Sequence, residues 1–215
     1  MVKIAPSILA ANFANLKKEV IAVDTAGADY IHFDVMDGHY VPNITFGPNI
    51  IKALRSISKK TFDVHLMISP VINFIDSFSN AGADIISFHP EADSDPLKVI
   101  QLIRNLNCKP GIAIHPDINV TKFEKYLSIV DVVVVMTVVP GFGGQKFLND
   151  QVSKILFLKE YKNKHNLSFE IEIDGGINEQ NSKICKEKGA DILVAGSYIY
   201  KSHYTKYKNL IENLR

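Results

Sequence analysis

The sequence predicts an α/β fold: a single (β/α)8 barrel, the TIM-barrel architecture, spanning residues 1–215 as one domain. Three observations predict it. Eight short, β-rich apolar runs alternate with longer amphipathic stretches along the whole chain. Three similar corners, Ala26-Gly27-Ala28-Asp29, Ala81-Gly82-Ala83-Asp84 and Gly189-Ala190-Asp191, each lead from a helical pattern into a strand pattern. The stretch after the first strand, Ala10-Ala11-Asn12-Phe13, has no glycine, so the fingerprint of an open dinucleotide-binding sheet is missing. A chain of 215 residues with 47% hydrophobic content can bury one full core. It also lies above the roughly 200 residues that a barrel needs.

The strand-like runs, in order, are Ile4–Leu9, Tyr30–Val35, Thr61–Met67, Asp84–His89, Lys109–His115, Asp131–Met136, Phe169–Ile173 and Asp191–Ala195. Val132–Val135 is continuously apolar, as a parallel strand covered on both faces should be. Between the runs lie helix patterns. Phe13–Ala26 spaces Phe13, Leu16, Val20 and Val23 along one face. Asp95–Leu106 begins Asp95-Pro96 and carries Leu97, Ile100 and Ile103. Tyr204–Leu214 supplies a last helix. Glycine at each corner suits the residue just past a helix end, which takes positive φ.

Composition excludes several classes. A formal net charge of +1 offers no footprint for nucleic acid or an anionic membrane. No run approaches the roughly 18 apolar residues of a spanning helix. Ile4–Ala11 has some likeness to a signal-peptide core, but it is short and only Lys3 precedes it, which favours a buried first strand. Cys108 and Cys185 form neither a disulfide framework nor a metal-spaced pair, so a reducing compartment is expected.

A barrel places its chemistry at the C-terminal strand ends. In the second strand, side chains two apart share a face. Ile31, Phe33 and Val35 must pack outward on helices, so His32, Asp34 and Met36 point into the barrel. In the third strand His65 and Met67 point together, and Asp174 ends the seventh. A charged Asp inside a barrel is costly unless paired or bound to metal. Two imidazoles and two carboxylates from three strands form a ligand set for zinc, iron(II), manganese or cobalt. His32, Asp34, His65 and Asp174 are therefore expected to hold one divalent ion per subunit. Met36, Met67 and Met136 sit at strand ends and would line the pocket with a polarizable apolar surface.

Three glycine clusters follow strands six, seven and eight: Gly141-Phe142-Gly143-Gly144, Gly175-Gly176 and Gly196-Ser197. Glycines let backbone N–H groups approach an anion, and barrels often bind phosphate in this quarter. No arginine lies in these loops, so the backbone would do most of the binding.

The sequence resembles the ribulose-phosphate 3-epimerase family along essentially its whole length. The matching segments are Ile4-Ala5-Pro6-Ser7-Ile8-Leu9, His32-Phe33-Asp34-Val35-Met36-Asp37-Gly38, Val41-Pro42-Asn43, His65-Leu66-Met67, Met136 through Gln145, Asp174-Gly175-Gly176-Ile177 and Ala195-Gly196-Ser197. The resemblance implies a barrel of the ribulose-phosphate-binding type and epimerisation of D-ribulose 5-phosphate to D-xylulose 5-phosphate at C3. It implies that Asp34 and Asp174 are the acid/base pair as well as metal ligands, acting through an enediolate that the metal stabilises. Ser7 and His65 would contact substrate. Gly141 and Phe142 would line it, and Gly143, Gly144, Gly175, Gly176, Gly196 and Ser197 would hold the phosphate. It also implies cytoplasmic pentose phosphate metabolism. A homo-oligomer is expected on general grounds, since symmetric assembly is common for such enzymes.

The chain departs from the family where Val139 stands in place of the usual Asn. A 3-epimerase of a six-carbon ketose phosphate, such as allulose 6-phosphate, shares the same acid/base pair. A non-catalytic sugar-phosphate-binding barrel is the reading from another class. The Asp-x-Lys-x-x-Asp run of the related decarboxylases does not occur.

Overall fold

The computed structural model describes residues 1–215. Its strands are β1 (Lys3–Pro6), β2 (Tyr30–Met36), β3 (Thr61–Met67), β4 (Ile85–Phe88), β5 (Lys109–Ile114), β6 (Val132–Met136), β7 (Glu170–Asp174) and β8 (Ile192–Ala195). The helices are α1 (Leu16–Thr25), α2 (Pro48–Arg55), α3 (Ile75–Ala81), α4 (Pro96–Asn105), α5 (Val152–Lys164), α6 (Glu179–Lys188), α7 (Ser197–Tyr200) and α8 (Tyr207–Leu214). Every ladder is parallel, in the order β1-β8-β7-β6-β5-β4-β3-β2. The seam between β1 and β2 closes by a parallel bridge from Ser7 to His32 and by Asp29 N–H donating to the Ile4 carbonyl at 3.0 Å.

Strand parity divides the core into two shells. Ile31, Phe33 and Val35 of β2, and Phe62, Val64 and Leu66 of β3, belong to the large outer cluster beneath the helices. Ala5, Ile85, Ala113, Val132, Val134, Met136 and Val194 form a smaller cluster inside the barrel. That inner shell has few apolar residues from β2, β3 and β7, because those strands send His32, Asp34, Asp63, His65, Glu172 and Asp174 inward, and all six are buried.

The three glycine corners share one construction. Gly27, Gly82 and Gly189 have φ of 96°, 103° and 115°. The Asp two residues further on turns its carboxylate back to the neighbouring strand. Asp29 accepts from Ile4 N–H at 2.8 Å, Asp84 from Phe62 N–H at 2.7 Å, and Asp191 from Ile171 N–H at 2.9 Å. Each also meets a cation: Arg215 on Asp29, Arg55 on Asp84 and Lys162 on Asp191. The repeated corner therefore caps an otherwise open strand start at the N-terminal face, opposite the chemistry.

Some boundaries differ from the sequence expectation. The first strand stops at Pro6, because the Ser7 side chain accepts from Leu9 N–H and turns Ile8–Ala10 into a 3-10 helix. Phe13–Asn15 is also a 3-10 turn, capped by Asn12, and α1 begins only at Leu16. Phe13 is consequently outside the helix face and rests, half-exposed, against Phe46 at 5.7 Å between ring centroids. In α4 the buried face uses Val99, Ile100 and Ile103, while Leu97 is exposed. Asp95 caps that helix by accepting from Lys98 N–H at 3.2 Å. No helix is long and apolar enough to cross a membrane.

Candidate active site

Each of β2, β3 and β7 delivers polar groups to one point at the C-terminal end of the barrel. His32 Nε2 lies 3.5 Å from Asp34 Oδ1 and 3.7 Å from Asp174 Oδ2. His65 Nδ1 lies 3.4 Å from Asp174 Oδ2 and 3.8 Å from Asp34 Oδ1. The four ligand-type atoms all fall within 4.8 Å of one another. The two imidazole nitrogens are buried and lack any hydrogen-bond partner, an unfavourable state unless something sits between them and the carboxylates. Nitrogen and carboxylate donors at this spacing suit a divalent cation of the zinc, manganese, iron or cobalt type. The residues present therefore fit a metal ion, with His32 Nε2 and His65 Nδ1 as the nitrogens that would hold it.

The electrostatics agree. Burial disfavours a charged His32, yet the carboxylates of Asp63 and Asp34 outweigh it and lift its pKa well above the ordinary imidazole value. Burial alone would raise the Asp34 carboxyl. His32, His65 and a hydrogen bond from Ser7 together bring it below the usual value. The negative field that favours a proton on His32 is the field that a cation would neutralise.

Two further carboxylates lie beneath the cluster. Asp63 Oδ2 is 2.7 Å from His32 Nδ1, and Glu172 Oε1 is 3.5 Å from the same nitrogen. Burial and the nearby Asp63 push the Glu172 carboxyl well above its ordinary value, which favours its neutral form. These partners were not singled out from the sequence. The parity that turned His65 and Asp174 inward applies equally to Asp63 and Glu172, two residues earlier on the same strands.

Above the cluster opens a concave cleft, lined by both carboxylates and by the loops beyond the strand ends. Ser7 stands at its wall and donates from Oγ to Asp34 Oδ2 at 2.5 Å. Met36, Met67 and Met136 line the cleft, as do Asp34 and Asp174, while His32 and His65 lie fully buried below. The loops after β6, β7 and β8 form the opposite wall. They bring Gly141, Phe142, Gly143, Gly144, Gly175, Gly176, Gly196 and Ser197 to the one cleft.

Their shape is fixed by internal bonds. Thr137 Oγ1 donates to the carbonyl of Gly175 at 2.6 Å. Gln145 Nε2 donates to the carbonyls of Val139 and Phe142 at 2.6 and 2.8 Å. Val139 itself is half-exposed, so the loop is held through its backbone and not through that side chain. Gly176 has φ of 66°, and a Cβ there would meet Phe147 N at 2.8 Å, so no larger residue fits.

Four ligand-type side chains aimed at one point under a cleft, on the catalytic face of a parallel barrel, define the class: a barrel enzyme whose site can hold a metal ion. Comparison with known proteins narrows the class to a family. The pattern of the "Ribulose-phosphate 3 epimerase family" matches residues 3–200. Ribulose-phosphate 3-epimerase of Bacillus subtilis is 46% identical over 203 residues, covering 93% of this chain and 93% of that protein. The protein of the same name from Escherichia coli K12 is 40% identical over 213 residues, covering 99% and 94%.

The chain belongs to the ribulose-phosphate 3-epimerase family, isomerases that act on a phosphorylated sugar. Solved structures with the same fold include 3-hexulose-6-phosphate synthase from Salmonella typhimurium, with a TM-score of 0.75 at 18% identity over 99% of this chain and 96% of that one.

Proposed function

We propose that residues 1–215 form one catalytic domain that interconverts D-ribulose 5-phosphate and D-xylulose 5-phosphate by moving a proton at C3 between Asp34 and Asp174. The observation that carries this reading is the meeting of those two carboxylates, from β2 and β7, with His32 and His65 under one cleft.

Epimerisation needs a proton removed from one face of a carbon beside a carbonyl and another returned to the opposite face. One ion, held by His32, Asp34, His65 and Asp174, would polarise the ketose oxygens and stabilise the negative charge left at C3 and C2. Asp34 and Asp174 come from strands three apart around the barrel and can flank the substrate from different sides, so one serves as base while the other serves as acid, and they exchange roles in reverse. Ser7 holds Asp34 Oδ2 and thereby fixes the plane of that carboxylate toward substrate. The three methionines present an apolar, water-excluding surface beside the reacting carbon. Backbone N–H groups of Gly143, Gly144, Gly176 and Ser197 are suited to the phosphate. A homo-oligomer in the cytoplasm belongs to the same reading; both cysteines are buried free thiols.

The test compares kcat/KM for D-ribulose 5-phosphate and allulose 6-phosphate with the same metal-loaded enzyme. A preference of tenfold or more for the five-carbon sugar is expected. A reversed preference would move the assignment to the six-carbon ketose.

A further inference from the structure

His65 is not held by its strand alone. Its Nε2 lies 3.1 Å from Nε2 of His89, a fully buried residue just past β4. Two rings pack against His89: Tyr40 stacks on it at 4.5 Å and 28°, and His65 tilts against it at 5.1 Å. His89 Nδ1 is buried and has no formed hydrogen bond, its nearest carboxylate oxygen being Glu91 Oε1 at 3.5 Å, the outer limit of reach. That same oxygen accepts the Tyr40 hydroxyl at 2.7 Å. Tyr40 lies in the loop after β2, which also reaches the loop after β6 through Asn43 Nδ2 donating to the Gly141 carbonyl at 2.7 Å.

We propose that His89, Glu91 and Tyr40 are positioning residues for the metal centre, a chain of hydrogen-bonding groups that fixes the tautomer and ring orientation of His65. The inference rests on the reading of His65 as a ligand.

Proton placement supports a single direction along the chain. A ligating Nδ1 must offer a lone pair, so His65 carries its proton on Nε2. Two imidazole nitrogens at 3.1 Å need one donor and one acceptor, so His89 Nε2 accepts. The His89 proton then sits on Nδ1 and faces the Glu91 carboxylate, which also takes the Tyr40 hydroxyl. The reverse assignment would set a bare Nδ1 lone pair against a carboxylate inside the protein, which is repulsive. Every proton in the forward assignment has an acceptor within reach. His32 has the corresponding support from Asp63 on its far nitrogen. The two ligands thus have unlike anchors, a carboxylate for one and a second imidazole for the other. Through Tyr40, the His65 anchor is tied to the loop after β2, which Asn43 joins to the cleft-lining loop after β6.

The experiment uses full-length protein labelled with nitrogen-15 in its histidines, titrated with Zn(II), together with Zn(II) affinity by chelator competition. In the Zn(II)-loaded wild type, His65 is expected to keep its proton on Nε2 and His89 on Nδ1. His89→Leu should weaken Zn(II) binding by roughly 10- to 100-fold, the range for lost outer partners of a metal ligand. His89→Gln, whose amide oxygen can still accept, should recover part of that loss. Glu91→Gln, at the surface end, should cost a few-fold and leave the melting temperature of the metal-free protein unchanged. If His89→Leu does not fold, the wild-type tautomers and Glu91→Gln decide the question. A His65 proton found on Nδ1, or wild-type Zn(II) affinity in both His89→Leu and Glu91→Gln, would overturn the proposal while leaving the metal site standing. Zn(II) that shifts neither His32 nor His65 would remove the metal reading and the outer chain with it.

Discussion

Asp63 Oδ2 stands 2.7 Å from His32 Nδ1, with both side chains fully buried inside the barrel. The contact leaves His32 Nε2 as the nitrogen that faces Asp34 and Asp174. A carboxylate on the far nitrogen fixes an imidazole's tautomer and raises its basicity toward a cation. Asp63→Asn keeps the shape and removes the charge. It should weaken Zn(II) affinity by roughly 10- to 100-fold, measured by chelator competition. Unchanged affinity would mean that Asp63 only fills space.

Asp34 and Asp174 are assigned the proton transfer. Asp34→Asn and Asp174→Asn should each abolish detectable turnover, a loss of at least about 10²–10⁴ in kcat. Steady-state epimerisation, run at saturating metal so that weakened ligation is separated from lost chemistry, checks this. Either variant turning over near the wild-type rate would end that residue's role.

Glu172 carries a pH signature. Its folded pKa is raised, by burial first and by Asp63 next. A carboxyl with a raised folded pKa leaves stability intact below its unfolded value of about 4.5. Stability is then lost as pH rises from there toward the folded pKa. Glu172→Gln imitates the neutral acid and has no proton to lose. Metal-free Glu172→Gln should therefore match or exceed the wild type in melting temperature at pH 8, with a smaller advantage at pH 5. A large destabilisation at pH 8 would show that Glu172 is ionised in the folded protein.

At the opposite face of the barrel, Asp84 accepts from the Phe62 amide and pairs with Arg55. The exposed ion pair contributes little, while the amide left without its acceptor does most of the damage. Asp84→Ala should cost about 1–3 kcal/mol by urea unfolding, with kcat unchanged because the corner lies away from the cleft. A fall in kcat at full folding would contradict this separation.

Much of this was legible in the sequence for a physical reason. Parallel strands buried on both faces leave a near-continuous apolar signal, so β6 was readable from Val132–Val135 alone, and the glycine corners marked where helices end. Alternation then turned His32, Asp34, His65 and Asp174 inward, because a charge among outer-shell Ile31, Phe33 and Val35 would have no partner. Ile8 and Leu9 look like strand residues, so apolar patterning extends the first strand past its true end at Pro6. The deciding bond, Leu9 N–H to Ser7 Oγ, is local side-chain capping that apolar patterning does not register.

The partners of the ligands were harder. Asp63 and Glu172 follow from the same parity, but nothing in composition separates a ligand from the group behind it. The contacts of Tyr40 with His89 and Glu91 depend on how the loop after β2 folds against the turn after β4, which no spacing encodes.

The central claim is proton transfer at C3 in a metal-dependent site. Deuterium incorporation followed by NMR tests it most directly, with D-ribulose 5-phosphate in deuterated water and with metal-loaded and chelator-treated protein side by side. The account predicts deuterium at C3 together with xylulose 5-phosphate from the loaded protein, both lost on chelation and restored by adding the metal back. Exchange that survives exhaustive chelation, or no exchange from the loaded protein, would contradict it.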